Sequence, residues 1–286
     1  MAKNTYTPNK TKINHRGQAL RNRLQRMDAE GSFDHIVVST SGGKDSGALL
    51  CWATRTFGAD RIIALHAELD TDWDETLPTV KAQCENLGVK LHIVKREDEK
   101  GVLDLLLAGQ VDRKTGEKKQ KKWPGPNQQW CTAQVKTQPC DKFCSQLGGN
   151  VLVLCGERAE ESTRRARKHV FNEKVYKRKG TMMIKASPIV DWTEGKVWAE
   201  NNFYEMPKHP CYALGVSRAS CAICIYSSKK EIAIAAQHNP KLVNRYLEAE
   251  KQINHKFRYD SSKKQSQSIQ DILEEQGIEL KNDQIA

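Results

Sequence analysis

The chain of 286 residues carries 46 Lys and Arg against 35 Asp and Glu, a formal net charge of +11 with pI about 9.2. A hydrophobic share of 38% and a mean hydropathy of −0.68 exclude a membrane-spanning class and fit a globular domain with a core and polar extensions. With nine cysteines and no apolar signal stretch after Met1, the expected setting is reducing cytoplasm, where thiols serve as ligands or reactive groups more than as disulfides.

Residues 1–33 are basic and polar, with a helix expected near 18–27 that carries Arg21, Arg23 and Arg26, an arm for a partner or nucleic acid. From 34 to about 155 strands and helices alternate. Residues 36–39 read as a buried strand, and an apolar helix runs from 44 to about 57. Residues 61–66 and 90–94 form the next strands, followed by helices near 75–87 and 102–107. This order predicts an α/β fold, a parallel twisted sheet with helices on both faces and ligands at the carboxyl ends of its strands.

Residues 111–129 interrupt the alternation with Lys, Arg, Pro, Gly and Trp123, read either as a mobile loop for phosphates and a stacked base or as a solvated insertion. A helix over 132–147 and a strand over 150–154 resume it. Beyond Cys155 come an Arg-rich segment at 156–168, a helix after Pro188 capped by Asp191 or Thr193, and a Cys-bearing loop at 209–226. Helices near 228–237 and 240–255 precede a polar tail with no obvious core. The expected division is a basic segment 1–33, a nucleotide-binding α/β domain 34–200, and a Cys-bearing, mainly helical region 201–286. The basic balance points to an acidic partner, nucleic acid foremost.

Between the first strand and its helix stand Ser39, Ser41, Gly42, Gly43, Lys44, Asp45 and Ser46. Two glycines let backbone N–H groups approach an anion, the helix N-terminus adds unpaired N–H groups, and Lys44 with the hydroxyls adds donors. The product is a phosphate cradle. Its spacing is neither a Walker A loop nor a dinucleotide fingerprint. Ser41-Gly-Gly-Lys-Asp-Ser46 resembles the pyrophosphate loop of ATP pyrophosphatases, which split ATP between the α and β phosphates.

Four further motifs follow: Cys131-Thr-Ala-Gln-Val-Lys-Thr-Gln-Pro139, Gly156-Glu-Arg-Ala-Glu-Glu-Ser162, Pro188-Ile-Val-Asp-Trp-Thr193 and Ser217-Arg-Ala-Ser-Cys-Ala-Ile-Cys224. Together with the loop, and over roughly 34–250, they resemble the phosphoadenosine phosphosulfate (PAPS) reductase family, most of all the ATP pyrophosphatase subunit of DNA phosphorothioation systems. The resemblance implies an adenine nucleotide alpha-hydrolase-like fold and ATP with Mg²⁺ on the loop, Asp45 assisting the metal. It implies that His66 and Ala67 lie against the adenine or ribose, with Asp70 or Asp72 beyond, and that Gly156, Arg158 and Arg164 reach the phosphates. Lys44, Asp45 and Arg158 would then carry the catalysis, and Lys136 is a weaker phosphate candidate.

Cys221-Ala-Ile-Cys224 is a Cys-x-x-Cys with Cys211 ten residues before it. Cys131 stands where adenylylsulfate reductases carry two adjacent cluster cysteines, although the second position here is Thr132. Four thiolates suit a 4Fe–4S cluster or structural zinc. The resemblance favours the cluster, on Cys131, Cys211, Cys221 and Cys224, with Cys140 a rival fourth ligand. Cys51, Cys84, Cys144 and Cys155 read as core. Reductases of the family use a nucleophilic cysteine near the C-terminus, and no cysteine follows Cys224.

The expected function is therefore an ATP pyrophosphatase that adenylates an acceptor oxygen for sulfur incorporation. DNA, or another nucleic acid, is the expected acceptor and a cysteine desulfurase the sulfur donor. A PAPS or adenylylsulfate reductase-like enzyme, tRNA thiolation and a non-enzymatic nucleotide-sensing DNA-binding regulator stand as alternatives. No membrane partner is expected, and a homodimer is left open.

Overall fold

A computed structural model of the protein describes residues 10–111, 114–125, 128–176 and 180–279. The first nine residues of the basic segment, four positions of the 111–129 loop and the end of the polar tail lie outside them. In chain order the elements are α1 Lys10–Ala29, β1 His35–Thr40, α2 Lys44–Phe57, β2 Ile62–Ala67, α3 Thr76–Asn86, β3 Lys90–Val94 and α4 Val102–Ala108. The short strands β4 Gln110–Val111 and β5 Lys118–Lys119 come next, then α5 Gln138–Leu147, β6 Asn150–Leu154, α6 Thr163–Arg167, β7 Phe171–Tyr176 and β8 Thr181–Ala186. The chain closes with α7 Glu194–Phe203, α8 Lys229–His238, α9 Pro240–Ile253, β9 Arg258–Asp260, β10 Gln265–Gln267 and α10 Ile269–Glu275.

Packing groups these elements into two units that the linear order does not separate. The first comprises residues 1–67, 75–94 and 140–209, and the second 68–74, 95–139 and 210–286.

The first unit is built on a six-stranded sheet ordered β3-β2-β1-β6-β8-β7. All neighbours run parallel except β7, which pairs antiparallel with β8 at the edge. Successive residues of a strand point to opposite faces, so a sheet covered on both sides reads as a continuous apolar run. Ile36 and Val38 accordingly face one core with Leu49 and Leu50 of α2, Leu20 and Leu24 of α1, Val80 of α3 and Val197 of α7. Val37 faces the other, with Cys144, Phe143 and Leu147 of α5. Truncating a fully buried side chain such as Leu50 to Ala costs about 2–5 kcal/mol.

The α1 helix is longer than the 18–27 expected, and Arg16, Arg21 and Arg23 on it have partners within the fold. Arg21 is buried, donating to Asp191 at 2.6 Å and to the Pro188 carbonyl at 2.7 Å. Arg16 bonds the Ala166 and Lys168 carbonyls, and Arg23 lies 3.8 Å from the centre of the Phe171 ring. Thr193 rather than Asp191 caps α7, accepting from the Lys196 N–H.

The second unit gathers α4, α8, α9 and α10 around one apolar cluster. Trp123, read either as a ring for a stacked base or as part of a solvated insertion, is instead 7% exposed, stacked on Tyr246 at 5.4 Å and edge-on to Phe257 at 5.2 Å. Its indole N–H donates to the His255 carbonyl. The tail does have a core. Ser268 caps α10, whose Ile269, Ile272 and Leu273 share one buried stripe. The helix expected over 132–147 is divided into a wide π-turn at Thr132–Thr137 followed by α5. Pro139 accounts for this, since it has no N–H to give the carbonyl four residues back. No helix among the described residues is long and apolar enough to cross a membrane.

Candidate functional site: the phosphate loop and a thiol group

The strand order reverses at β1, which has β2 on one side and β6 on the other. Open α/β sheets bind ligands at such a switch, beyond the carboxyl ends of the strands. Ser41, Gly42 and Gly43 leave β1 at this point and deliver the chain to the N-terminus of α2. Gly42 has φ +71, the left-handed region that glycine enters without strain. The loop knits itself together through Ser46, whose hydroxyl donates to the Gly43 carbonyl at 2.9 Å and accepts from the Ser41 N–H at 3.2 Å. Gly156, leaving β6, closes the other side. A Cβ there would stand 3.1 Å from the Asp45 carbonyl oxygen, a contact tight enough that a larger residue would push the loop back.

Two cations and three carboxylates border the loop. The Lys44 ammonium, nearly buried, lies 3.3 Å from Asp45 and 3.5 Å from Glu194. Arg158, 3% exposed, donates from Nε to Asp45 at 2.5 Å and from Nη1 to Glu160 at 2.6 Å and the Trp192 carbonyl at 3.2 Å. Burial opposes its charge, but Asp45 and Glu160 outweigh this and raise its pKa. Arg158 therefore holds Asp45 in place in this structure. Arg164 has an exposed side chain on α6. Glu160 also accepts from the Glu194 N–H, joining the Arg158 segment to the start of α7.

His66 is buried in β2, its Nδ1 donating to the Thr40 carbonyl at 3.1 Å, and Ala67 is half-buried at the strand end. Ser39 lies in β1 with its hydroxyl 4.0 Å from the Cys155 sulfur. Asp70, in the second unit, accepts from the Val102 N–H at 2.8 Å and pairs with Arg245 at 3.1 Å, so it anchors the start of α4. The Asp72 carboxyl is pushed up to about 6 by burial, with Lys136 pulling the other way.

The second unit brings three of the four expected cysteines together. Cys131, Cys221 and Cys224 are close enough for each thiol's charge to bear on another, and all three act on Lys136. The Lys136 ammonium donates to the Cys221 sulfur at 3.8 Å. Cys221, then Asp72 and the other thiols, hold that ammonium protonated above the usual lysine range. Lys136, a weaker phosphate candidate in the sequence, is thus partnered by thiols instead. Cys211 is buried in the apolar cluster of this unit. Among the described residues no three His, Cys, Asp or Glu side chains close on a point where one metal ion would sit. The four-thiolate site is not assembled for a single ion such as zinc.

The profile of the phosphoadenosine phosphosulfate reductase domain matches residues 35–227, more than half of the chain. The chain belongs to this family. It is 31% identical over 119 residues to the tRNA-specific 2-thiouridylase MnmA of Lawsonia intracellularis, covering 41% of this chain and 31% of the relative. It is 32% identical over 89 residues to the adenosine 5'-phosphosulfate reductase of Burkholderia cepacia, covering 31% and 33%. The chain thus spans about a third of the length of these curated relatives. A PAPS reductase from Candida auris, solved as a phosphate complex, overlays with TM-score 0.48 at 19% identity over 73% of this chain and 93% of the other.

Two polar residues at the loop escaped the sequence reading. Gln83 of α3 and Asn201 of α7 are buried and donate to the Gly42 and Lys44 carbonyls. Each is one of several polar residues in its helix, and its target lies 41 and 157 residues away. Glu160 and Glu194 likewise take their place at the loop only through the fold.

Proposed function

We propose that the chain is an ATP pyrophosphatase that adenylates an acceptor oxygen for sulfur incorporation, with a DNA backbone phosphate as acceptor. The observation that carries this is the Ser41–Ser46 loop at the switch point of the sheet, with Lys44 opening α2. In this reading the β and γ phosphates of ATP take the place beside Lys44 now shared by Asp45 and Glu194, and Asp45 turns toward the Mg²⁺. The acceptor oxygen attacks the α-phosphorus, the bond to the β-phosphate oxygen breaks, and pyrophosphate leaves. A sulfur nucleophile, supplied from a cysteine desulfurase, then displaces AMP together with the acceptor oxygen. Positioning and charge neutralisation supply the rate, as in other phosphoryl-type transfers.

The three thiols around one ammonium are a donor set that suits a 4Fe–4S cluster, whose bound thiolates carry the negative charge that Lys136 offsets. Cys131, Cys221 and Cys224 would hold it, Cys211 being buried apart in the apolar cluster, and it would supply one-electron chemistry. Iron and sulfide analysis after purification without oxygen tests this directly.

The function itself is tested by incubating the protein with ATP, Mg²⁺ and duplex DNA and measuring pyrophosphate and AMP. Pyrophosphate release that depends on the acceptor supports the reading, and release of ADP and phosphate alone rejects it. The Cys131, Cys221 and Cys224 group also supports a second reading, reduction of a sulfonucleotide. Sulfite formed from adenylylsulfate and a thiol reductant, with no pyrophosphate from ATP, would select that reading instead.

A further inference from the structure

Helix α3 places one polar side chain against the phosphate loop. Gln83 is 1% exposed, and its Nε2 donates to the Gly42 carbonyl at 3.1 Å and to the Pro207 carbonyl at 2.9 Å. Its Oε1 is buried with no hydrogen-bond partner among the described residues. An apolar side chain of the same size would fill the space without an orphaned oxygen, so packing does not explain an amide here. The two donated bonds do. Turning the amide over would set its oxygen against two carbonyl oxygens, which fixes the assignment of donor and acceptor.

The carbonyl that Gln83 holds belongs to the Gly42–Gly43 peptide. That peptide is trans, as are all the described ones, so the Gly43 N–H points opposite to the Gly42 oxygen. With the oxygen drawn toward α3, the Gly43 N–H is turned away from it. The surrounding contacts leave little slack. A Cβ on Gly42 would stand 3.3 Å from both the Thr76 carbonyl oxygen and Val80 Cγ2. The Gly43 carbonyl is already tied by the Gly47 N–H and the Ser46 hydroxyl, whereas the Gly42 carbonyl is tied by α3.

We propose that Gln83 is a positioning residue for nucleotide binding, locking the Gly42–Gly43 peptide so that the Gly43 N–H faces the terminal phosphates. The proposal rests on the loop being a phosphate cradle. It is tested by titrating inorganic pyrophosphate, and separately ATP with Mg²⁺, into the full chain and into its Gln83→Met and Gln83→Glu variants. Thermal unfolding is recorded alongside. Gln83→Met keeps the volume and loses both donors, and binding should weaken by about tenfold while cooperative unfolding persists.

Gln83→Glu supplies the decisive readout. Ionised at pH 8, its carboxylate opposes the Gly42 carbonyl and binding is weak. Burial beside two carbonyls disfavours the charged form, so toward pH 5 a protonated carboxyl donates one hydrogen bond, and affinity relative to the unsubstituted chain at the same pH should recover. A filler of space alone would not give this pH-dependent rescue. If Gln83→Met does not fold, the ratio for Gln83→Glu decides alone. A ratio that stays flat with pH, or folded variants that bind as the unsubstituted chain does, overturns the clamp. An unsubstituted chain that binds neither pyrophosphate nor ATP overturns the cradle itself, so the two failures are told apart.

Discussion

Replacing Lys44 with Met separates the binding role of the loop from its structural role. The ammonium lies 3.3 Å from Asp45 and 3.5 Å from Glu194, so the substitution removes two ion pairs. Asp45 keeps Arg158 at 2.5 Å, and Glu194, 57% exposed at its side chain, is already hydrated. The half-exposed pair with Glu194 contributes little and Asp45 keeps its Arg158 partner, so the stability loss should stay at about 1 kcal/mol. A charge-assisted contact to phosphate is worth about 1.5–3 kcal/mol, which corresponds to about a 12- to 150-fold rise in the dissociation constant for ATP. Arg158→Met should do the reverse. It strips Asp45 and Glu160 of a buried partner, and breaking such a pair costs about 3–5 kcal/mol, read as a large fall in Tm. Calorimetric titration with ATP and thermal unfolding of both variants give the comparison. Lys44→Met binding ATP within threefold of the unsubstituted chain, or Arg158→Met unfolding at an unchanged temperature, would refute the reasoning.

If DNA is the partner, Ala at the exposed Lys118, Lys119 and Lys122 should reduce the slope of log affinity against log salt by about 2–3, whereas an unchanged slope assigns those lysines to solvent. Lys121 should matter to the fold instead, since its ammonium bonds Gln134 at 2.9 Å and sits 3.8 Å from the centre of the Trp130 ring. Trp123→Ala should cost about 3–5 kcal/mol in urea unfolding, and a selective loss of nucleic-acid binding at full stability would contradict its place in the core. Burial pushes the Glu250 carboxyl up to about 7, against hydrogen bonds from the Phe257 and Ile269 N–H groups. The folded chain then holds this proton more tightly than the unfolded chain, so the group's contribution to stability falls as pH rises from about 4.5 to 7 and is level above. Glu250→Gln should flatten that part of a curve of unfolding free energy against pH by up to about 3 kcal/mol, and identical curves would show that Glu250 does not titrate there.

The apolar runs 36–39, 61–66 and 150–154, with the glycines between strand and helix, made the centre of the sheet and its loop legible because local periodicity and backbone freedom decide them. The β7–β8 edge was not legible. Lys185 interrupts the apolar run of β8, and its bond to Asp141 at 2.5 Å, from a helix 44 residues back, accommodates that charge. Lys136 and Trp123 were misread for the same reason. Each looks solvated among polar neighbours, yet its partner, Cys221 or Tyr246, lies far along the chain. The Ser-Gly loop announced an anion site, but Asp45 and Arg158 are 113 residues apart, and their bond belongs to tertiary structure alone.

The position of β1 also sets a timetable for the growing chain. Its pairing with β2, from Ile36 to Ile62, closes within a short loop, but its other neighbour begins with His35 opposite Val151. At about 5–20 residues per second of synthesis, β1 waits on the order of ten seconds with one edge unpaired. That edge carries Ile36, Val37 and Val38, apolar on both faces, a template for pairing with another chain. Slower emergence of residues 95–150 should therefore lower the soluble yield, whereas a change that weakens only the finished fold should not act at this stage.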